Sequence, residues 1–156
     1  ALSRAAGNQQ SLRRSNSLEL DIALARGLDA QSRHDEAAEK LTSALEAKQE
    51  DVGSQSAALL PFRRAITRHN LAAGRPKAAL RSARAALAIA QSQLPPDNWA
   101  IALTRAELGS AQIAAGNVQA GRQSLRTALI KLEGALPDGN AHIAAIRQEL
   151  EQSAAL

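Results

Sequence analysis

The chain has 156 residues, 45% hydrophobic and 22% charged, with a formal net charge of +4; that balance belongs to globular chains and excludes a disordered one. It has no cysteine, which removes disulfides, thiol nucleophiles and cysteine-bound metal from consideration. Phe62 and Trp99 are its only aromatic residues, too few for the stacking platforms with which proteins hold single-stranded nucleic acid.

In chain order, residues 1–16 (ALSRAAGNQQSLRRSN) have no apolar run, so no signal peptide is predicted. The chain starts without methionine, and Ala1 to Gly7 aligns with the tail of a helix that ends a repeat. The expectation is a fragment of a longer chain, with the array continuing upstream. A fixed interval of 42 residues then governs the sequence. AQSRHDEAAEKLTSAL from Ala30, AAGRPKAALRSARAAL from Ala72 and AAGNVQAGRQSLRTAL from Ala114 share one register. Ile101, Leu108 and Ile113, and then Leu125, Leu129, Leu132 and Leu136, follow helical spacing rather than strand alternation. Each period therefore reads as an A helix, a tight turn, a B helix and a loop. The predicted pairs are 22–31 with 34–49, 57–73 with 76–93, and 98–115 with 118–136, within repeats at 17–50, 57–93 and 98–136. A last A helix, 140–154, caps the array. Gly74 and Gly116 fall in the tight turns. The loops LPPDN (94–98) and LPDGN (136–140) stop each B helix with proline, and Asp97 or Asp138 is expected to cap the next helix. No stretch is apolar enough to span a membrane: the best candidate, 85–104, contains Gln91, Gln93, Pro95, Pro96 and Asp97.

Ala37, Ala79 and Gly121 share one repeat position, and Ala44, Ala86 and Ala128 another. Small residues at fixed points let two helices approach closely, while Leu41, Ile66, Leu108 and Leu125 fill the space between. A single hairpin cannot bury its apolar face, so neighbouring hairpins must supply the core. Leu108-Gly109, Gly116, Gly121, Leu125 and Ala128, with Ile66, Gly74, Ala79 and Ala86 and with Leu24, Ala37, Leu41 and Ala44, resemble the signature of the tetratricopeptide (TPR) repeat. The interval and the Leu-Pro-Asp loops are similar to the longer variety found in kinesin light chains; related repeats occur in bacterial kinases and regulators. The resemblance implies an all-α fold, a right-handed superhelix of antiparallel helix pairs, with A helices on the concave surface. The positions where the family places Tyr, Trp and Phe hold Leu, Ala, Gln or Asn.

Chemistry is sparse. His34, His69 and His142 form no metal-binding motif and are expected to be unrelated. No serine sits in a Gly-x-Ser-x-Gly elbow. The expectation is no enzyme, no cofactor and no metal. Trp99, in the first turn of its helix, is either a ligand anchor or a cover for the repeat junction.

Charge is more telling. Residues 52–96 carry seven cations and no anion, while both flanking segments are slightly acidic. Lys77, Arg81 and Arg84 form a stripe on a B helix, expected on the solvated convex side. Arg64 and Arg68 on an A helix are expected to line the concave groove with Glu19, Ile22, Arg26, Leu103, Ala106 and Ser110. Guanidinium groups suit carboxylate capture; the alternative is that these arginines pair with Glu19, Asp21 or Asp29 across the repeat boundary. The function expected is a protein-interaction scaffold taking a protein or peptide partner, acidic in character, with no nucleic acid and no membrane. The alternative is a regulatory or sensor segment of a larger bacterial kinase or transcription regulator. The cytoplasm is the expected compartment, with the periplasm also open.

Overall fold

The computed structural model describes residues 2–156. Seven α-helices follow in order: α1 (Leu2–Ala30), α2 (His34–Val52), α3 (Leu60–Ala72), α4 (Pro76–Gln93), α5 (Trp99–Ala114), α6 (Val118–Ala135) and α7 (Ala141–Gln152), with 3-10 turns at Ala57–Leu59 and Ser153–Ala155. Among the described residues there is no strand. The fold is all-α, built from antiparallel pairs α1–α2, α3–α4 and α5–α6 and closed by α7.

The repeat register reappears in backbone detail. Ser32, Gly74 and Gly116 stand 42 apart, and each takes a positive φ, at 59°, 65° and 88° respectively. That left-handed conformation turns the A helix into the B helix and suits glycine. Ser56, Asn98 and Asn140 also stand 42 apart: Asn98 and Asn140 cap α5 and α7, and Ser56 caps the 3-10 turn that leads into α3. Their side-chain oxygens accept from the amides of Ala58 (3.2 Å), Ala100 (2.9 Å) and His142 (2.9 Å). The expected caps, Asp97 and Asp138, instead lie inside the preceding loop turns. The cap is the last non-helical residue, whose extended backbone aims its side chain at the amide two residues on.

Two boundaries differ from expectation. The first A helix does not start near 22, nor does the segment before it behave as the end of another hairpin: α1 is one helix of 29 residues. Nothing between Gly7 and Asp21 can break it, since the segment has no proline and Gly7 lies in open space. The second difference is small: α2 runs on to Val52, where Gly53 with a φ of 84° ends it.

Packing follows the small residues. Ala37, Ala79 and Gly121 are buried, as are Ala44, Ala86 and Ala128. In the third pair the helices nearly touch: a Cβ on Gly121 would lie 2.6 Å from the Gly109 carbonyl oxygen and 2.5 Å from Ile113 Cγ1. Successive A helices also pack on one another, α1 on α3, α3 on α5 and α5 on α7, and each B helix lies against its own A helix and the next. The A helices are thereby the inner layer, and Lys77, Arg81 and Arg84 on α4 are exposed outside it.

Ala86 is fully buried in a cluster with Leu60, Ile89 and Ala90 of its own pair, and Ile101 of the next pair packs against the same cluster at the junction. Ala86→Leu forces extra volume into that contact and should destabilise by about 1–3 kcal/mol in chemical denaturation. An unchanged midpoint would mean that the junction is loose.

Candidate functional site

A cleft of about 440 Å³ opens between α1 and α3 on the inner layer. Glu19, Ile22, Arg26, Asp29, Arg68 and His69 line it over a floor that includes Ala25, Leu41 and Ala65. Four of the eight residues expected in a groove meet here: Glu19, Ile22, Arg26 and Arg68. The other four have different surroundings. Leu103 and Ala106 are core, buried with Leu125, Leu132, Ile143 and Ile146. The Ser110 hydroxyl donates to Glu149 Oε2 at 2.6 Å.

Arg64 is engaged within the chain. Its Nε and Nη2 donate to the two carboxylate oxygens of Glu107 at 3.0 and 2.9 Å, a bidentate fork. Arg68 adds a third bond to the same carboxylate, Nη1 to Oε1 at 2.7 Å. The Arg64 and Glu107 side chains are only 17% and 15% exposed, whereas Arg68 is 46% exposed. The arginines do pair across a repeat boundary, but forward to the third repeat, not back to Glu19, Asp21 or Asp29. Asp21 instead lies 3.9 Å from Lys40. Arg75 reaches back to Asp35 at 3.6 Å. The anion-free middle repeat is thus tied by charge to both flanks.

These contacts form a ladder with the period of the chain. Position 68 of α3 bonds position 107 of α5, and position 110 of α5 bonds position 149 of α7. Each rung joins residues 39 apart on successive A helices. The equivalent first rung would join Arg26 to residue 65, and residue 65 is alanine. The rung is therefore missing where the cleft opens, and among the described residues Arg26 has no carboxylate partner. Glu107 was recognisable in sequence as the anion one repeat ahead of both arginines.

Contrary to the expectation of three unrelated histidines, His34 and His69 meet at one carboxylate. His34 Nδ1 lies 2.8 Å from Asp29 Oδ1, and His69 Nδ1 lies 2.9 and 3.0 Å from the two oxygens of the same carboxylate. Their rings meet edge to face with centroids 6.3 Å apart. His142 is exposed on α7. Trp99 is 45% exposed and borders a separate hollow of about 320 Å³ with Pro96, Arg105 and Lys131. No helix among the described residues is long and apolar enough to cross a membrane.

No protein-family model matches the sequence, and no curated protein matches it. Solved structures do. A crystal structure from Podosopora anserina, described as a kinesin light chain with nearly identical TPR-like repeats, aligns with a TM-score of 0.78 at 21% identity over 90% of this chain. A single-substitution variant of that protein aligns equally well. The chain spans 66% of the length of either neighbour. The likeness is one of fold, and it agrees with the register of turns and caps: this is a TPR-like helical solenoid.

The fork predicts an asymmetry. Glu107→Ala strands a poorly exposed guanidinium and should cost about 1–3 kcal/mol. Arg68→Ala removes a half-exposed partner and should cost less than about 1 kcal/mol. Urea denaturation of the two variants checks this; equal losses would contradict the assignment of Arg64 as the buried member.

Proposed function

We propose that the chain is a protein-interaction scaffold and that the α1–α3 cleft holds an acidic side chain or the C-terminal carboxylate of a partner segment. The reading rests on the missing rung. The guanidinium of Arg26 borders a concave surface where its counterparts, Arg68 and Ser110, each bond a carboxylate from the next repeat. A partner's carboxylate completes that ladder at the one place where the chain supplies Ala65 instead. Apolar neighbours, Ile22 and Ala25, offer dry surface beside the charge, where a hydrogen bond to a charged group is strongest. Arg68, still half-exposed after its bond to Glu107, adds a second positive charge to the cleft wall. Arg64 has no part in this, because Glu107 occupies it.

The test uses two fluorescein-labelled degenerate peptide libraries, one with Asp or Glu at a fixed position and one with Asn or Gln there. Fluorescence anisotropy should show tighter binding of the acidic library, weakening as salt rises. Arg26→Ala should reduce that affinity about tenfold, the scale of one charge-assisted hydrogen bond. Changing Lys77 and Arg81 to alanine on the outer layer should leave it unchanged. Equal losses from the two changes would mean diffuse attraction and would overturn the site.

A further inference from the structure

We propose that Asp29, His34 and His69 form a binding site for a divalent transition-metal ion of the zinc class. The ion would be held by the Asp29 carboxylate and the Nδ1 atoms of the two imidazoles. The inference is independent of the peptide reading above.

The donors come from three helices: Asp29 from the last turn of α1, His34 from the first residue of α2, and His69 from the last turn of α3. Their ligating atoms all lie within 4.8 Å of one another. Both Nδ1 atoms face one carboxylate oxygen, at 2.8 and 2.9 Å. Four-coordinate zinc with bonds of about 2.0–2.1 Å sets its ligand atoms roughly 3.3 Å apart. Seating the ion requires each Nδ1 to draw back from that oxygen by about half an ångström, while the two imidazole donors, within 4.8 Å of each other, settle to the same spacing. Two imidazoles and one carboxylate suit zinc, nickel, cobalt or copper and are a poor set for magnesium or calcium, which favour all-oxygen shells.

The repeat register supplies a second argument. In the other repeats the position of Asp29 holds Leu71 and Ile113, that of His34 holds Pro76 and Val118, and that of His69 holds Gly27 and Ala111. Three apolar or small positions turn polar together, and they do so at one point in space. Packing does not call for this. The His69 side chain is only 5% exposed, and its Nε2 is buried with no partner. Burying an imidazole with one nitrogen unsatisfied is costly, and an apolar side chain would fill the space at less expense. Ligation through Nδ1 leaves Nε2 unpartnered, but it gives a buried imidazole a bond to an ion that an apolar side chain cannot make.

The site is reachable, because Asp29 and His69 also line the α1–α3 cleft, from which water can complete the coordination shell. Arg26 and Arg68 on that cleft oppose a dication, while Glu19 favours it and Glu107 already engages Arg68. A bound ion would join α1, α2 and α3, fastening the first repeat to the second.

The test uses the full chain, freed of metal by chelation and dialysis. Titration with zinc chloride in a calorimeter should give one ion per chain, and cobalt chloride should give the visible absorption of a bound, low-symmetry Co(II). Zinc at a hundredfold excess over its dissociation constant should raise Tm by roughly 5–10 °C. Magnesium chloride should do neither. His34→Ala, at a partly exposed position, and the near-isosteric Asp29→Asn should each abolish zinc binding and the Tm shift while circular dichroism stays helical. His142→Ala should keep both. Absence of zinc binding to the folded wild-type chain, or an equal Tm shift in His34→Ala, would overturn the site.

Discussion

The structure depends on how closely two helices of one hairpin can approach. At the seam between α5 and α6 there is no room for a single methyl group on Gly121, whose place is occupied by the Gly109 carbonyl oxygen and Ile113. The same register position holds buried Ala37 and Ala79 in the earlier pairs. Small residues set the spacing inside each pair; the larger ones, Leu41, Leu125 and Leu132, then fill the layers left between pairs. A chain so rich in alanine buries little per side chain, so contact must be close and repeated. The inner layer of A helices, and with it the cleft, follows from that stacking.

Charge acts on top of this frame as a second, weaker register. Rungs between successive A helices join positions 68 and 107 and positions 110 and 149. Where residue 65 is alanine, the ladder stops and the cleft begins. The same junction holds the Asp29, His34 and His69 cluster, so the first repeat meets the second through histidines on a carboxylate, whereas the later junctions use the Glu107 and Glu149 rungs. Repeats that are alike can share packing rules; the places where they differ carry individuality.

The fold was legible because the signals that make it recur. Prolines, turn residues and helical spacing repeat at 42, and the turns at Gly74 and Gly116 lie where that spacing puts them. The start of α1 was not legible, since alignment with later repeats suggested a break that no residue enforces. The caps were displaced by one or two positions, because Asp and Asn are both good caps and only backbone geometry selects Asn98 and Asn140. Glu19, Ile22, Arg26 and Arg68 line one cleft, whereas Arg64 meets Glu107, an anion ahead of it in the chain and not one of those behind it. The histidine cluster escaped because its donors lie on three helices, at spacings no linear motif describes. Its sequence trace was a departure from the repeat, visible only once the register is known in three dimensions.

The account's central claim is that the Gly121 seam, not helix propensity, decides stability in this array. Both Gly121 and Gly134 lie in α6, but a Cβ on Gly134 would meet nothing within 4 Å. Alanine is the better helix former by roughly 0.8–1 kcal/mol, so Gly134→Ala should stabilise or be neutral near the helix end. Gly121→Ala gains the same propensity yet must push two backbones apart, and should lose about 1–3 kcal/mol net. Urea denaturation of the two variants beside the wild type makes the comparison. Loss of stability in Gly121→Ala beside no loss in Gly134→Ala is the predicted result; stabilisation of both by similar amounts would show that the helices can separate freely, and would contradict the account.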